Sequence, residues 1–224
     1  MATRSGDRAP ARPRTRVTRM PKRAVYERET IEAILDEAPL CHVGTVGDGG
    51  HPVVIPTLHA RDGDVLYLHG SAASPTLRRA ERAEICVTAT LLDGLVLARS
   101  AVHHSVNYRS VVVFGQAETV ESEEGKCQAL EAFTEKLIPG RWGDARLPTA
   151  QELKATAVLR LPLDEASAKV RSGGPLDDDE DYELPVWAGT VPLRLSAGAP
   201  QPDARLVPGV ECPAYVAELA RALA

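Results

Sequence analysis

The chain has 224 residues, 44% of them apolar, 4% aromatic and 25% charged, with a formal net charge of −5. That balance is ordinary for a globular protein with one core, and the low aromatic share leaves Val, Leu, Ile and Ala to fill it. No apolar run reaches the roughly 18 residues that cross a bilayer, so a membrane span is not expected.

The charge is uneven. Residues 1–23 hold eight Arg or Lys against one acid, a net of +7, which leaves −12 for the remainder. This stretch, MATRSGDRAPARPRTRVTRMPKR, has no apolar core and no periodicity. It is not a secretory signal, and residues 1–22 are expected to be a disordered basic arm. Such an arm could touch nucleic acid or an anionic surface, but no aromatic residue interleaves the charges, so a solvated tail without a nucleic-acid partner is the expectation. Glu27 to Ala38 reads as a short amphipathic helix with Ile31, Ile34 and Leu35 on one side, ended by Pro39. Leu40 to Val46 reads as a strand, followed by a turn at 47–50.

The stretch from His51 to Ala83, HPVVIPTLHARDGDVLYLHGSAASPTLRRAERA, is the one around which the chain is organised. Val53 to Ala60 and Val65 to His69 are runs of strand length, and Asp62-Gly63 between them predicts a hairpin with a type I′ turn. A small-residue loop, Gly70 to Ala73, leads to Ser74 as helix N-cap and Pro75 as first helical residue. A helix start offers unpaired N–H groups and the positive end of the dipole. With hydroxyls from Ser71, Ser74 and Thr76 and the guanidinium groups of Arg78 and Arg79, it could hold a phosphate. An ordinary capped helix has the same local sequence, so both readings stand at this level.

Beyond it, Ile85 to Leu92 and Leu95 to Val102 read as strands joined by a second tight hairpin at Asp93-Gly94. His103 to Arg109 is a polar connection, and Ser110 to Val120 a further strand broken at Gly115. Short strands separated by turns predict a barrel or sandwich rather than a parallel α/β sheet. Several of them are apolar on both faces, such as Val53 to Leu58 and Val111 to Phe114, which calls for a cover of helices or a second subunit and so for a dimer. Glu121 to Ile138 is a helix capped by Ser122, with Leu130, Phe133 and Leu137 as its buried stripe. Strands come next at 156–161 and 167–171. The acidic run Asp177 to Asp181 is expected to be a solvated loop; its carboxylates suggest a divalent cation but lack the glycine and spacing of a calcium loop. Residues 196–208 form a linker or strap, and 213–223 a terminal helix. The expected organisation is the arm (1–22), a barrel domain (23–175) and a C-terminal extension packed on the barrel (176–224).

Standard catalytic templates are absent. Cys41, Cys86, Cys127 and Cys212 form no C-x-x-C pair, which argues against zinc or a dithiol. With no signal peptide beside them they are expected to be reduced thiols of a cytoplasmic protein. The six histidines show no metal-ligand spacing, and there is no G-x-S-x-G, P-loop or G-x-G-x-x-G after a strand.

Three stretches resemble the pyridoxamine 5′-phosphate oxidase-like FMN-binding split β-barrels, and within them the branch of 5-nitroimidazole-resistance proteins. They are Gly44-Thr45 through HPVVIPTLH, the segment VLYLHGSAAS, and HHSVNYRSVVVFGQA from His103 to Ala117. The resemblance covers residues 23–175, and WAGTVPL at 187–193 extends it. It implies a mainly β fold, a barrel with flanking helices, and a homodimer with FMN in a cleft between subunits. It further implies that Ile55, Pro56, Thr57, Leu58 and His59 lie along the flavin and reach toward its phosphate. Leu68 and His69 would end the next strand beside the flavin. Ser71 and Ser74 to Thr76 would meet the phosphate, with Arg78 supplying charge, and Ser110 would approach the ring from a later strand. The oxidases commonly carry Arg and Lys where this chain has Pro75 and Thr76, and Lys in place of His59. Their pyridoxine-phosphate residues are not recognisable here, so that substrate is not expected.

The implied function is an FMN-dependent oxidoreductase acting on a small conjugated or nitro-type substrate, with the flavin carrying the hydride. The alternatives are a flavin- or haem-binding storage protein and a deazaflavin-dependent reductase on the same fold. His69 is the candidate proton-transfer residue, because a neutral imidazole can accept or donate near neutral pH.

Overall fold

The computed structural model describes residues 13–223. In chain order, a 3-10 turn at Pro13–Thr15 and another at Pro21–Arg23 lead into β1 (Ala24–Val25) and α1 (Arg28–Glu37). Then come β2 (Cys41–Val46), β3 (Pro52–Thr57), β4 (His59–Asp62), β5 (Val65–Ser71), α2 (Pro75–Arg82), β6 (Glu84–Leu97), β7 (Ser105–Gln116) and β8 (Glu118–Thr119). The chain closes with α3 (Glu123–Leu137), α4 (Ala150–Ala155), β9 (Thr156–Pro162), β10 (Ala166–Arg171), β11 (Gly189–Pro192) and α5 (Ala214–Ala222). All strand pairs are antiparallel. A seven-stranded sheet runs β1-β10-β7-β6-β2-β3, with β11 added alongside β6, and a four-stranded sheet runs β4-β5-β9-β8. This is the expected mainly β architecture, a split barrel with flanking helices.

The core lies between the two sheets. Val43, Val87, Val111 and Val113 share one face of the larger sheet, and Leu66, Leu68, Leu159 and Leu161 face them from the smaller. Ile31, Ile34 and Leu35 of α1 plug one end, which is the apolar stripe that the helix periodicity predicts. WAGTVPL joins the barrel, with Thr190 opposite Val96 and Val191 opposite Leu95.

Several local expectations change once tertiary contacts are formed. The apolar run 53–60 is two strands, not one. β3 pairs with β2 in the larger sheet, β4 pairs with β5 in the smaller, and the chain crosses between them at Leu58. β3 has a partner on one side only, which is why Pro52 and Pro56, lacking N–H groups, are tolerated there. The hairpin into β5 has Gly63-Asp64 as its central pair, with positive φ at Gly63 (53°) and not at Asp64, so the turn is of type II′ and not I′. Asp93-Gly94 is not a hairpin. β6 runs through it as a bulge, where the register shifts between Leu92 and Gly94. The Asp93 carboxylate accepts from Arg109 on β7 at 2.8 and 3.0 Å, and a Cβ at position 94 would sit 3.0 Å from the Val191 carbonyl of β11. Glycine there lets the added strand approach.

The buried face of α3 is Ala129 and Phe133; Leu130 is half-buried and Leu137 exposed, so only Phe133 of the expected stripe is buried. The acidic run is not wholly solvated. The Asp177 side chain is enclosed, accepting from the N–H groups of Arg99 (2.9 Å) and Ser100 (3.4 Å) and from the Arg99 guanidinium (3.1 Å).

The basic arm also departs from expectation. Residues 1–12 lie outside the described residues, but from Pro13 onward the arm is laid on the larger sheet. Arg14 forms a bidentate pair with Glu165 and reaches Glu84 at 2.8 Å. Thr15 is buried, and the Val17 N–H donates to the Tyr26 hydroxyl at 2.9 Å. Nothing in the local sequence marks these residues, because the partners are 70 and 151 positions away.

Candidate functional site

Ser74 caps α2 as expected, its hydroxyl accepting from Leu77 N–H at 3.4 Å. Ser71 holds the preceding loop, accepting from Ala73 N–H at 3.2 Å, and Arg78 folds back to donate to the Ala72 carbonyl at 3.3 Å. Pro75 has no N–H to offer. The N–H and hydroxyl of half-buried Thr76 have no partner among the described residues, so Thr76 carries the open donors of this helix start. A cavity of about 400 Å³ opens along the neighbouring face of α2, lined by Val46, Asp48, Pro75, Arg78, Arg79 and Arg82 but not by Thr76. Arg79 is paired with Asp48 at 3.3 Å, whereas no carboxylate among the described residues pairs with Arg78 or Arg82. Positive charge with open donors at a helix start is suited to a phosphate.

Val46 also lines a second, apolar cavity of about 290 Å³ formed with Gly44, Pro52, Val54, Cys86 and Phe114, with Arg14 at its rim. This cavity lies on the outer face of the larger sheet, away from the core. β3 beside it is bare: Val54 is 59% exposed and Ile55 42%, with Pro56 exposed as well. By strand alternation Val54 and Pro56 share the outer face with that cavity, Ile55 lies on the opposite face in register with Val43, and Thr57 and Leu58 are half-buried, whereas Ser71, Ser74, Thr76 and Arg78 gather at the start of α2.

The other expected site residues are not part of that surface. His59 does not reach toward it. It is 1% exposed, with Nε2 at 2.8 Å from the Leu35 carbonyl and 2.9 Å from Lys136 Nζ. Leu68 is a core residue. His69 alternates with Leu68 and faces α3, where its ring centroid lies 4.2 Å from that of Phe133. Its Nδ1 is buried without a hydrogen-bond partner, and burial holds its pKa below the usual histidine value, so the ring is neutral at neutral pH. Ser110 donates to the Lys169 carbonyl at 3.3 Å on β7, three strands from β3 in the sheet order, or roughly 14 Å at the usual strand spacing. One protomer does not bring Ser110 and β3 together.

Sequence reasoning missed Lys136, Arg14 and Arg171, whose partners come from other elements. The four cysteines are free thiols, and no helix among the described residues is long and apolar enough to cross a membrane.

The fold and the helix-start geometry define a split-barrel protein, and the comparisons supply the family. Residues 27–170 match the pyridoxamine 5′-phosphate oxidase family, and the chain belongs to it. It is 45% identical to the flavocytochrome Anf3 from Azotobacter vinelandii, over 93% of this chain and 97% of that one, with a TM-score of 0.89. A FAD and haem binding protein from Mycobacterium smegmatis is 39% identical over 90% and 97%, with a TM-score of 0.83. A candidate 5-nitroimidazole antibiotic resistance protein from Bacteroides thetaiotaomicron is 25% identical over 66% and 86%, with a TM-score of 0.56. No curated protein matches the chain.

Proposed function

We propose that this chain is a flavin-binding oxidoreductase that works as a homodimer. Its 45% identity to a flavocytochrome along nearly the whole of both chains carries the reading. The residues present fit a flavin. Exposed Val54 and Pro56 on the outer face of β3 suit an apolar ring face, and Arg78 and Arg82 suit a phosphate. A bound flavin would supply hydride or single-electron exchange. The chain would hold the ring and keep one side of it dry. The FAD of the mycobacterial relative favours the dinucleotide over the FMN that the family resemblance implied. Substrate reduction, of a small conjugated or nitro-type molecule, remains the proposed reaction.

The dimer is supported by apolar side chains left bare on the larger sheet, Val46, Val54, Leu92 and Leu95 among them, and by the separation of Ser110 from β3. Light scattering should give twice the 24.0 kDa chain mass.

A second reading is that a haem is bound as well, since both of the more similar relatives carry haem or cytochrome in their names. The visible spectrum of the purified protein, with the mass of the released cofactor, tests both readings. Two flavin bands with a FAD mass are expected, and a Soret band if haem is present. A FMN mass would restore the mononucleotide, a single violet band would indicate deazaflavin, and a colourless protein that takes up none of these would overturn the proposal.

A further inference from the structure

We propose that the cavity where the basic arm crosses β10 and β7 binds a phosphate-bearing small molecule, the kind of group that a nucleotide carries. The cavity has about 440 Å³, and Arg19, Arg23, Lys169 and Arg171 bring four positive charges to it, with the Tyr108 hydroxyl beside them. Met20, Val102 and Leu176 add an apolar rim. Neither the flavin reading nor the start of α2 is needed for this argument.

Arg171 is the decisive residue. Its side chain is 7% exposed, yet all its acceptors are neutral: the Asn107 amide oxygen, the Gly173 carbonyl at 3.4 Å and the Gly174 carbonyl at 3.1 Å. A buried guanidinium normally finds a carboxylate, because an uncompensated charge in the interior costs several kcal/mol. Here the next charge is Arg23, which repels it; burial first, and Arg23 second, hold the Arg171 pKa below the usual arginine value. No carboxylate among the described residues pairs with Arg19, Arg23, Lys169 or Arg171.

Carboxylates are not scarce. The chain outside the arm is net −12, and three acids stand close by. Asp177 is committed to Arg99 at 3.1 Å. Asp178 and Asp181 converge with His103, their ligand atoms all within 4.8 Å, and do not reach the cations of the cavity. The four remaining charges thus face one space with no protein anion in it. The backbone is shaped to keep them there. Met20 holds a left-handed φ of 56°, uncommon for a residue with a Cβ, and its carbonyl accepts from Arg23 N–H at 2.9 Å. Three guanidinium forks match phosphate oxygens better than they match a single carboxylate.

Two sources could deliver this chemistry: a free nucleotide, or the pyrophosphate of a dinucleotide cofactor shared with a second copy of the chain. Calorimetric titration of the purified full-length protein with ADP, inorganic pyrophosphate and citrate separates the cases, together with the Arg23→Gln and Lys169→Gln variants. Both substitutions fall on half-buried side chains that have no ion-pair partner, so folding is retained even if Arg171→Gln does not fold. ADP and pyrophosphate should bind more tightly than citrate, and each variant should weaken them about tenfold. If that loss leaves flavin content unchanged, the ligand is a free nucleotide. If wild-type protein refuses ADP but the variants lose FAD and keep riboflavin, the phosphate is the cofactor's own; both outcomes support the site. No phosphate binding with unchanged FAD affinity, binding that the variants leave intact, or citrate binding equal to pyrophosphate would overturn it. A protein without any flavin would sink the flavin reading while leaving the ADP titration decisive.

Discussion

Two of the cations that are taken into this molecule without a carboxylate, Lys136 and Arg171, are resolved differently. Lys136 of α3 reaches under the end of α1, where Nζ donates to the Leu35 and Ala38 carbonyls at 2.8 and 2.9 Å and lies 2.9 Å from His59 Nε2. Those carbonyls are the negative end of a helix, with no partner inside it, so the ammonium completes the helix and the helix neutralises the ammonium. Burial pushes the Lys136 pKa down to about 8, and burial together with Lys136 pushes His59 down to about 4. Arg171 also bonds only neutral oxygens, but it opens onto a cavity that holds three more cations. One arrangement is closed and structural; the other is completed by something outside the chain. The comparison separates a buried charge that serves folding from one that waits for a ligand.

Replacing Lys136 with Met should have the largest effect. The Ala38 carbonyl loses its partner, the Leu35 carbonyl keeps only His59, and two charge-assisted bonds are lost, so stability should fall by roughly 4 kcal/mol. Urea denaturation should show a lower midpoint at unchanged slope. If Lys136→Met were neutral, the ammonium would not be completing the helix, and the contrast with Arg171 would lose one side.

Acid should act through His59. Its folded pKa of about 4 lies below the roughly 6.5 of an unfolded histidine. As pH falls from 6.5 toward 4, the unfolded chain takes up a proton that the folded one refuses, so stability declines across that window, by about 3 kcal/mol in full. Thermal melts of wild type and His59→Gln from pH 7 to pH 4 should diverge, with the variant losing that part of the slope. Parallel curves would mean that the His59 proton is not coupled to folding.

Deleting residues 1–19 should cost less, a fall of several degrees in melting temperature, since Glu165 and Glu84 lose Arg14, buried Thr15 is removed and Arg19 leaves the basic cavity. ADP binding should weaken in the same truncation. A truncated protein that melts and binds like the full chain would return the arm to a solvated tail.

Ser74→Ala should be the smallest change, about 1 kcal/mol for a lost N-cap. Flavin phosphate, if held at α2, should be weakened more than riboflavin; equal losses in a paired titration would place the phosphate elsewhere.

Local sequence determined much of this protein. The period of α1, the caps Ser74 and Ser122, and the strands at 41–46 and 65–71 follow from side-chain spacing and turn chemistry, interactions made within a few residues. Family resemblance carried the barrel. Only tertiary structure decided that one apolar run splits at Leu58 between two sheets, and that Asp93-Gly94 is a bulge held by Arg109 and β11 rather than a turn. It alone turned His59 inward to Lys136, 77 residues away. It alone gathered arginines from the arm and from β10 around one cavity. The reason is physical: a cap or a period is satisfied by its neighbours, whereas a buried charge takes its meaning from whichever distant group meets it, or from the absence of one.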